Sequence, residues 1–140
     1  MLCQMIYTST SARHVSLGDK VKVAAYSVSN CHELGLTGRV LVEPDMAINL
    51  LEGPEPILRA YVNAIENDAM IELLIRHHQE PIKDRKFKDY SVWMTYTPDE
   101  PLKGVYKLTA ENFEKALPNN LPKKTRLFID ANFAIPEAVG

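Results

Sequence analysis

Residues 34–54 read Leu-Gly-Leu-Thr-Gly-Arg-Val-Leu-Val, then Glu-Pro-Asp, then Met-Ala-Ile-Asn-Leu-Leu-Glu-Gly-Pro. Two apolar runs flank a short acidic turn that carries a proline, and Glu52-Gly53-Pro54 leads into a helical pattern. This is the signature of a β-hairpin feeding a helix. The strands fall at about 36–43 and 46–51, and Pro54 and Glu55 suit a first helical turn, where a missing N–H costs nothing. Ile57, Leu58, Tyr61, Val62 and Ile65 then supply an apolar stripe as far as Asp68.

Upstream, residues 2–8 form a short apolar run closed by Thr8-Ser9-Thr10-Ser11, a strand followed by a loop. Ser16-Leu17-Gly18-Asp19 has the Ser-x-x-acid pattern of a helix N-cap, with a carboxylate in the first turn. Leu17, Val21, Ala24, Ala25, Val28 and Cys31 follow at helical spacing, and Gly35 marks the end. Downstream, residues 71–79 form a fourth strand and residues 90–97 a fifth, joined by Pro81 and the polar stretch 83–88. The order βαββαββ predicts an α/β (α+β) ferredoxin-like fold: a mixed five-stranded sheet with two helices on one face.

After Pro98 the pattern changes. Thr109-Ala110-Glu111-Asn112 opens a short helix through about Leu117, and Arg126-Leu127-Phe128-Ile129-Asp130 is a separate apolar run. Residues 1–97 are thus expected to be one domain. Residues 98–140 are expected to be a helical extension that covers the open sheet face or contacts a partner, since a bare apolar face invites association.

The bulk numbers agree with one compact domain. The chain has 140 residues, 46% of them apolar and 24% charged, with a net charge of −2. That balance gives no reason to expect nucleic acid or an anionic membrane surface. The longest apolar stretches fall short of the ~20 residues that cross a bilayer. The start lacks the basic n-region of a signal peptide, so a cytoplasmic location is expected. Two cysteines are too few for a disulfide scaffold or a cysteine-based metal site. His77 and His78 are adjacent on a predicted strand, so their rings should point to opposite faces and share no metal. Cys31 has no activating partner in the sequence pattern, and the glycines form no phosphate loop. The basic run at 83–88 is best explained as a solvated connection. No residue argues for an enzyme.

The order and spacing of four features resemble the BLUF family, blue-light sensors that use FAD. They are the strand-one tyrosine, the Gly-Leu-Thr-Gly entry to strand two, the Leu-Glu-Gly exit from strand three, and Arg85-x-Phe87-x-x-Tyr90-Ser91 before strand five. The resemblance covers about residues 2–97. It implies FAD lying between the two helices, its ring edge facing strands one and three, with light driving a relay from a tyrosine through a glutamine.

On this chain the relay tyrosine falls on Tyr7, which could equally be an aromatic filling a gap between sheet and helix. The family's paired asparagines fall on Asn30 and Cys31, and a thiol donates and accepts poorly beside an amide. The relay glutamine falls on Asn49. An amide drawn back by about 1 Å turns a hydrogen bond near ~2.9 Å into a contact beyond ~3.6 Å. The helix-two arginine falls on Ala64, the acidic residue one turn later on Asp68, and the following Arg-His on Met70-Ile71. The strand-five tryptophan and methionine fall on Tyr90 and Val92, while Trp93 is offset to the other face.

Each hydrogen bond lost to a buried ring edge costs about 1–3 kcal/mol when its partner goes unpaired. A micromolar complex represents only about 8 kcal/mol. Three departures, at Cys31, Asn49 and Ala64, therefore predict a sensory or regulatory domain that acts through protein–protein contacts with its FAD binding weakened or lost. The helix cleft would then be closed by apolar side chains such as Met46, Met70 and Ile71. The alternative is an FAD-binding blue-light photoreceptor with an altered Tyr7/Asn49 relay. Either is expected to work as a homo-oligomer with a signalling protein as partner.

Overall fold

The computed structural model describes residues 1–96 and 101–133. The hairpin consists of β2 (Thr37–Val42) and β3 (Met46–Pro54), paired antiparallel from Thr37 opposite Glu52 to Val42 opposite Ala47. Gly38 is required where β2 crosses β3. Its φ is 154°, and a Cβ there would lie 2.0 Å from the Leu50 carbonyl oxygen. Pro54 ends β3 and caps α2 (Glu55–Glu66), so the proline inside the first helical turn is Pro56 rather than Pro54.

β1 (Leu2–Ser11) runs antiparallel beside β3, and β4 (Ile71–Pro81) runs antiparallel along the other side of β1. α1 (Leu17–Leu34) opens with Ser16 Oγ accepting from the Asp19 amide at 3.1 Å and ends at Gly35, φ 73°. β5 (Tyr90–Met94) lies parallel to β2. Five strands are expected from the sequence, but the described residues contain six. β6 (Val105–Lys107) adds parallel to β5, giving the order β4-β1-β3-β2-β5-β6. Three residues are too few for alternation to show in the sequence. The chain continues through α3 (Phe113–Ala116) and α4 (Lys123–Asn132). The apolar run 126–130 is therefore part of a helix, and α3 is shorter than the expected 109–117.

Alternation along the strands divides the interior in two. Cys3, Met5, Tyr7, Val40, Leu51, Val92 and Met94 meet Ala24, Val28, Leu58 and Val62 of the two long helices on one face. Ile6, Leu41, Ile48 and Leu50 face the other way. They are covered by Leu108, Phe113, Ala116, Leu117, Ile129 and Phe133. Trp93 packs on this second side and donates its indole N–H to Ser91 Oγ at 3.0 Å.

Polar groups tie the two sides together. Glu52 is fully buried, and its carboxylate accepts from the amides of Lys86 (2.7 Å) and Phe87 (3.0 Å) and from the Thr37 hydroxyl (3.2 Å). The basic stretch before β5 is thereby pinned to the hairpin. Arg39 donates to the Ala116 carbonyl at 3.0 Å and to the Asp89 carboxylate at 2.8 Å, and its guanidinium lies over the Phe87 ring.

The expectation that His77 and His78 point to opposite faces does not hold. The β1–β4 register slips between Ile6 and Tyr7, so Ile6 sits opposite His78 and Tyr7 opposite Arg76. A bulge of this kind re-aims a side chain, and both histidines line one cavity behind the sheet.

Candidate functional site

A cavity of about 130 Å³ lies between α1 and α2 above the sheet. Its floor is Tyr7, Asn49, Val40 and Val92; Ala24 and Ser27 of α1 and Tyr61 and Ile65 of α2 form the walls. Met46, Met70 and Ile71 also line it.

Tyr7 and Asn49 are direct cross-strand partners, so both side chains face the cavity from neighbouring positions. Tyr7 is buried, and burial first, then the neighbouring Tyr61 and Cys31, push its phenol well above the ordinary value. The Asn49 amide nitrogen reaches Ser9 Oγ at 3.3 Å and the carbonyls of Tyr7 and Ala47 at 3.5 Å each. All three lie beyond the usual 2.7–3.2 Å, so this donor is shared rather than held.

Behind the cavity sits Cys31, with no solvent exposure. Burial raises its thiol, against hydrogen bonds with Tyr61 and Tyr90 that lower it. Burial likewise raises Tyr61, with Cys31 adding to the shift and bonds to Ser27 and Tyr90 opposing it. Tyr90 is raised well above the ordinary phenol range by burial, then by Tyr61, Cys31 and Tyr7. The result is a buried cluster of one thiol and several hydroxyls that burial holds in the neutral form.

The remaining expected positions divide between the cavity and the surface. Val92 and Tyr90 line the cavity, but Asn30 is half-buried on α1 and outside the lining. Ala64 is exposed on α2. Asp68 is exposed too, where its carboxylate accepts from the Met70 amide at 2.8 Å and shapes the turn into β4. The structure thus brings Tyr7, Asn49, Tyr90 and Val92 together, sets Cys31 behind them, and leaves Asn30, Ala64 and Asp68 apart.

Two residues that sequence reasoning passed over belong to the site. Tyr61 falls in the apolar stripe of α2, where its hydroxyl is easily overlooked. Ser27 lies between Ala24 and Cys31 at helical spacing, a stripe of small residues that leaves room against α2. That smallness was the available signal.

Among the described residues no three metal-ligating side chains cluster, and no helix is long and apolar enough to cross a membrane. No curated protein matches the chain in sequence. Among solved structures it is similar to Klebsiella pneumoniae BlrP1 with FMN and cyclic diGMP (TM-score 0.70, 19% identity, covering 94% of this chain and 35% of that one). It is similar to BlsA in its photo-activated state (TM-score 0.65, 15% identity, 99% of each chain). A bacterial light-regulated adenylyl cyclase matches at TM-score 0.61 and 22% identity over 67% of this chain. The chain spans only 28% of the cyclase's length, and at these identities the likeness is one of fold. A family model described as BLUF, sensors of blue-light using FAD, matches residues 2–93. With well over half its length matched on this fold, the chain belongs to the BLUF family, whose chromophore is FAD.

Proposed function

We propose that this chain is a BLUF-family signalling domain that acts through protein–protein contacts, with a weaker grip on flavin than the family pattern provides. The observation that carries the reading is that the helix cleft is satisfied by its own side chains. Cys31, at the asparagine position, is fully buried in the same cluster as Tyr61 and Tyr90. None of the buried polar side-chain atoms that lack a partner among the described residues lies on the cleft. A ring edge entering there finds few idle donors. Size argues the same way: the cavity is about 130 Å³, and a cavity of about 150 Å³ accommodates benzene, one ring where flavin has three. Ala64, exposed on α2, offers no charged group to a flavin carbonyl.

The output surface would be the sheet's second face and the extension packed on it, with residues 98–140 as a regulatory segment and a signalling protein or a second copy as partner. The test is the visible spectrum of purified protein, before and after incubation with FAD and desalting. Colourless protein that retains no flavin is the expected result. Yellow protein retaining one FAD per chain through desalting would sink the weak-grip reading.

A second reading has one observation in its favour. Tyr7 and Asn49 remain direct cross-strand neighbours on the cavity floor, so the two ends of an altered relay are in place for a photoreceptor. A light-induced red shift of bound flavin supports that reading.

A further inference from the structure

The polar groups left without partners are not at the helix cleft but behind the sheet. Gln4 Nε2, His78 Nε2 and Thr125 Oγ1 are three of the four such buried atoms among the described residues. Gln4 and Thr125 are each only 2% exposed. His78 and Thr125 meet where α4 lies over the β1–β4 pair, with Ile6 opposite His78 and Gln4 opposite Glu80 at the next register position. A cavity of about 140 Å³ opens there, lined by Ile6, His77, His78, Lys124, Thr125 and Phe128. A single water needs only about 10–15 Å³, so the space holds a polyatomic ligand.

The groups around it are mostly donors. Thr125 brings a hydroxyl and Lys124 an ammonium, while Gln4, two residues from Ile6 on β1, lies outside the lining. Thr125 and Lys124 belong to the first turn of α4, a helix of ten residues with Pro122 at its N-cap, no side-chain cap and no acidic residue in that turn. The amides of Thr125 and Arg126 both donate to the Pro122 carbonyl, whereas Lys123 and Lys124 precede them at the positive end of the helix dipole. Among the described residues the Glu80 carboxylate lies beside these groups. Its oxygens lie 3.0 Å from His78 Nε2, not aligned as a hydrogen bond, and 3.7 Å from Lys124 Nζ, and it does not line the cavity. His77 Nε2 is engaged by the Thr8 hydroxyl at 2.8 Å, and its ring packs on Phe128.

We propose that this cavity binds a phosphate-type oxoanion, free or as the end group of a small phosphomonoester, and that its occupation clamps α4 to the β1–β4 pair. A tetrahedral anion accepts from the buried Thr125 hydroxyl, Lys124 and the open helix end together. Carrying no net steering field beyond Lys124 against Glu80, the site would select by hydrogen-bond geometry rather than by charge alone. The inference stands apart from the flavin question, because the two cavities lie on opposite faces of the sheet.

The probe is inorganic phosphate, titrated at constant ionic strength against the full chain and followed by amide NMR shifts at Gln4, His78 and Thr125. Saturable shifts with Kd below about 10 mM are expected, and glycerol phosphate in a second titration distinguishes an ester end group from the free ion. Thr125→Val preserves shape while removing an unpartnered hydroxyl, so it should fold, and it should raise Kd at least about tenfold; Lys124→Gln should do the same. The proposal is overturned by shifts that neither anion saturates, by equal shifts with chloride, or by unchanged affinity in both variants.

Discussion

Asn49 differs from glutamine by one methylene, and its amide nitrogen is divided among three acceptors at 3.3–3.5 Å. Restoring the longer side chain lets the head group leave the strand and reach over the cavity. Asn49→Gln is therefore expected to retain more FAD than the parent and to give any bound flavin a larger light-induced red shift. Difference absorbance measures both, and equal shifts in the two proteins would remove Asn49 from the relay. The buried phenols make a second prediction. Tyr7, Tyr61 and Tyr90 are held above the ordinary value, and Tyr96 is pushed up to about 12, chiefly by burial. An unfolded tyrosine ionises near ~10. The stability these groups contribute is thus fully present below that pH and is lost as pH rises toward the folded values. Urea midpoints should be flat in this respect up to about pH 9 and fall steeply by about pH 11. Glu52 is the third case. Glu52→Ala strands two backbone amides and a hydroxyl and should cost roughly 3 kcal/mol or more, read from the urea midpoint. The sequence marks Glu52 as part of a signature, yet its three donors arrive from residues 37, 86 and 87. Burial and partners of that kind are tertiary facts, which is why the site's Cys31–Tyr61–Tyr90 cluster was likewise not legible.

At the scale of elements, local chemistry is legible in the sequence, while short elements and those made by tertiary contacts are not. The Ser16 cap, the Gly35 stop and the 34–54 hairpin carry their instructions within a few residues. β6 has three residues and exists because β5 offers it an edge. The bulge at His77 follows from how β4 meets β1, and no residue in β4 announces it. Gly38 shows how strict one position in an otherwise tolerant hairpin can be. Gly38→Ala places a methyl against the Leu50 carbonyl at an impossible 2.0 Å, so β2 and β3 must separate locally. We expect loss of folded protein, or a fall in thermal midpoint of 10 °C or more on the scale of about 4–8 °C per kcal/mol for a small domain. Circular dichroism melting measures it.

The whole molecule has one sheet and two cores. Ile6, Leu41, Ile48 and Leu50 are sheltered by Phe87 and, for the rest, mainly by side chains between Leu108 and Phe133, and each such side chain is worth about 1.5–3 kcal/mol when buried. Removing residues 97–140 exposes that face and should turn a dispersed protein into an aggregating one, visible as light scattering at concentrations where the full chain is clear. The sequence made the first core legible because its helices carry regular stripes. The second core is closed by Phe87 and Leu108 from connecting segments and by two short helices with their flanking residues, each too brief to advertise a buried side.

The placement of β1 has a consequence for the order in which the molecule can form. β1 is made first, yet its two neighbours are β3 and β4, so Cys3 waits for Gly53 on one side and Pro81 on the other. The hairpin needs only a short acidic turn and can close in microseconds, whereas β1 depends on closures of roughly 50 and 80 residues, which folding rates punish. The hairpin can therefore close before the earlier strand returns to it. The return of β1 to the hairpin, rather than the closing of the hairpin itself, is thus the step expected to limit the rate of folding.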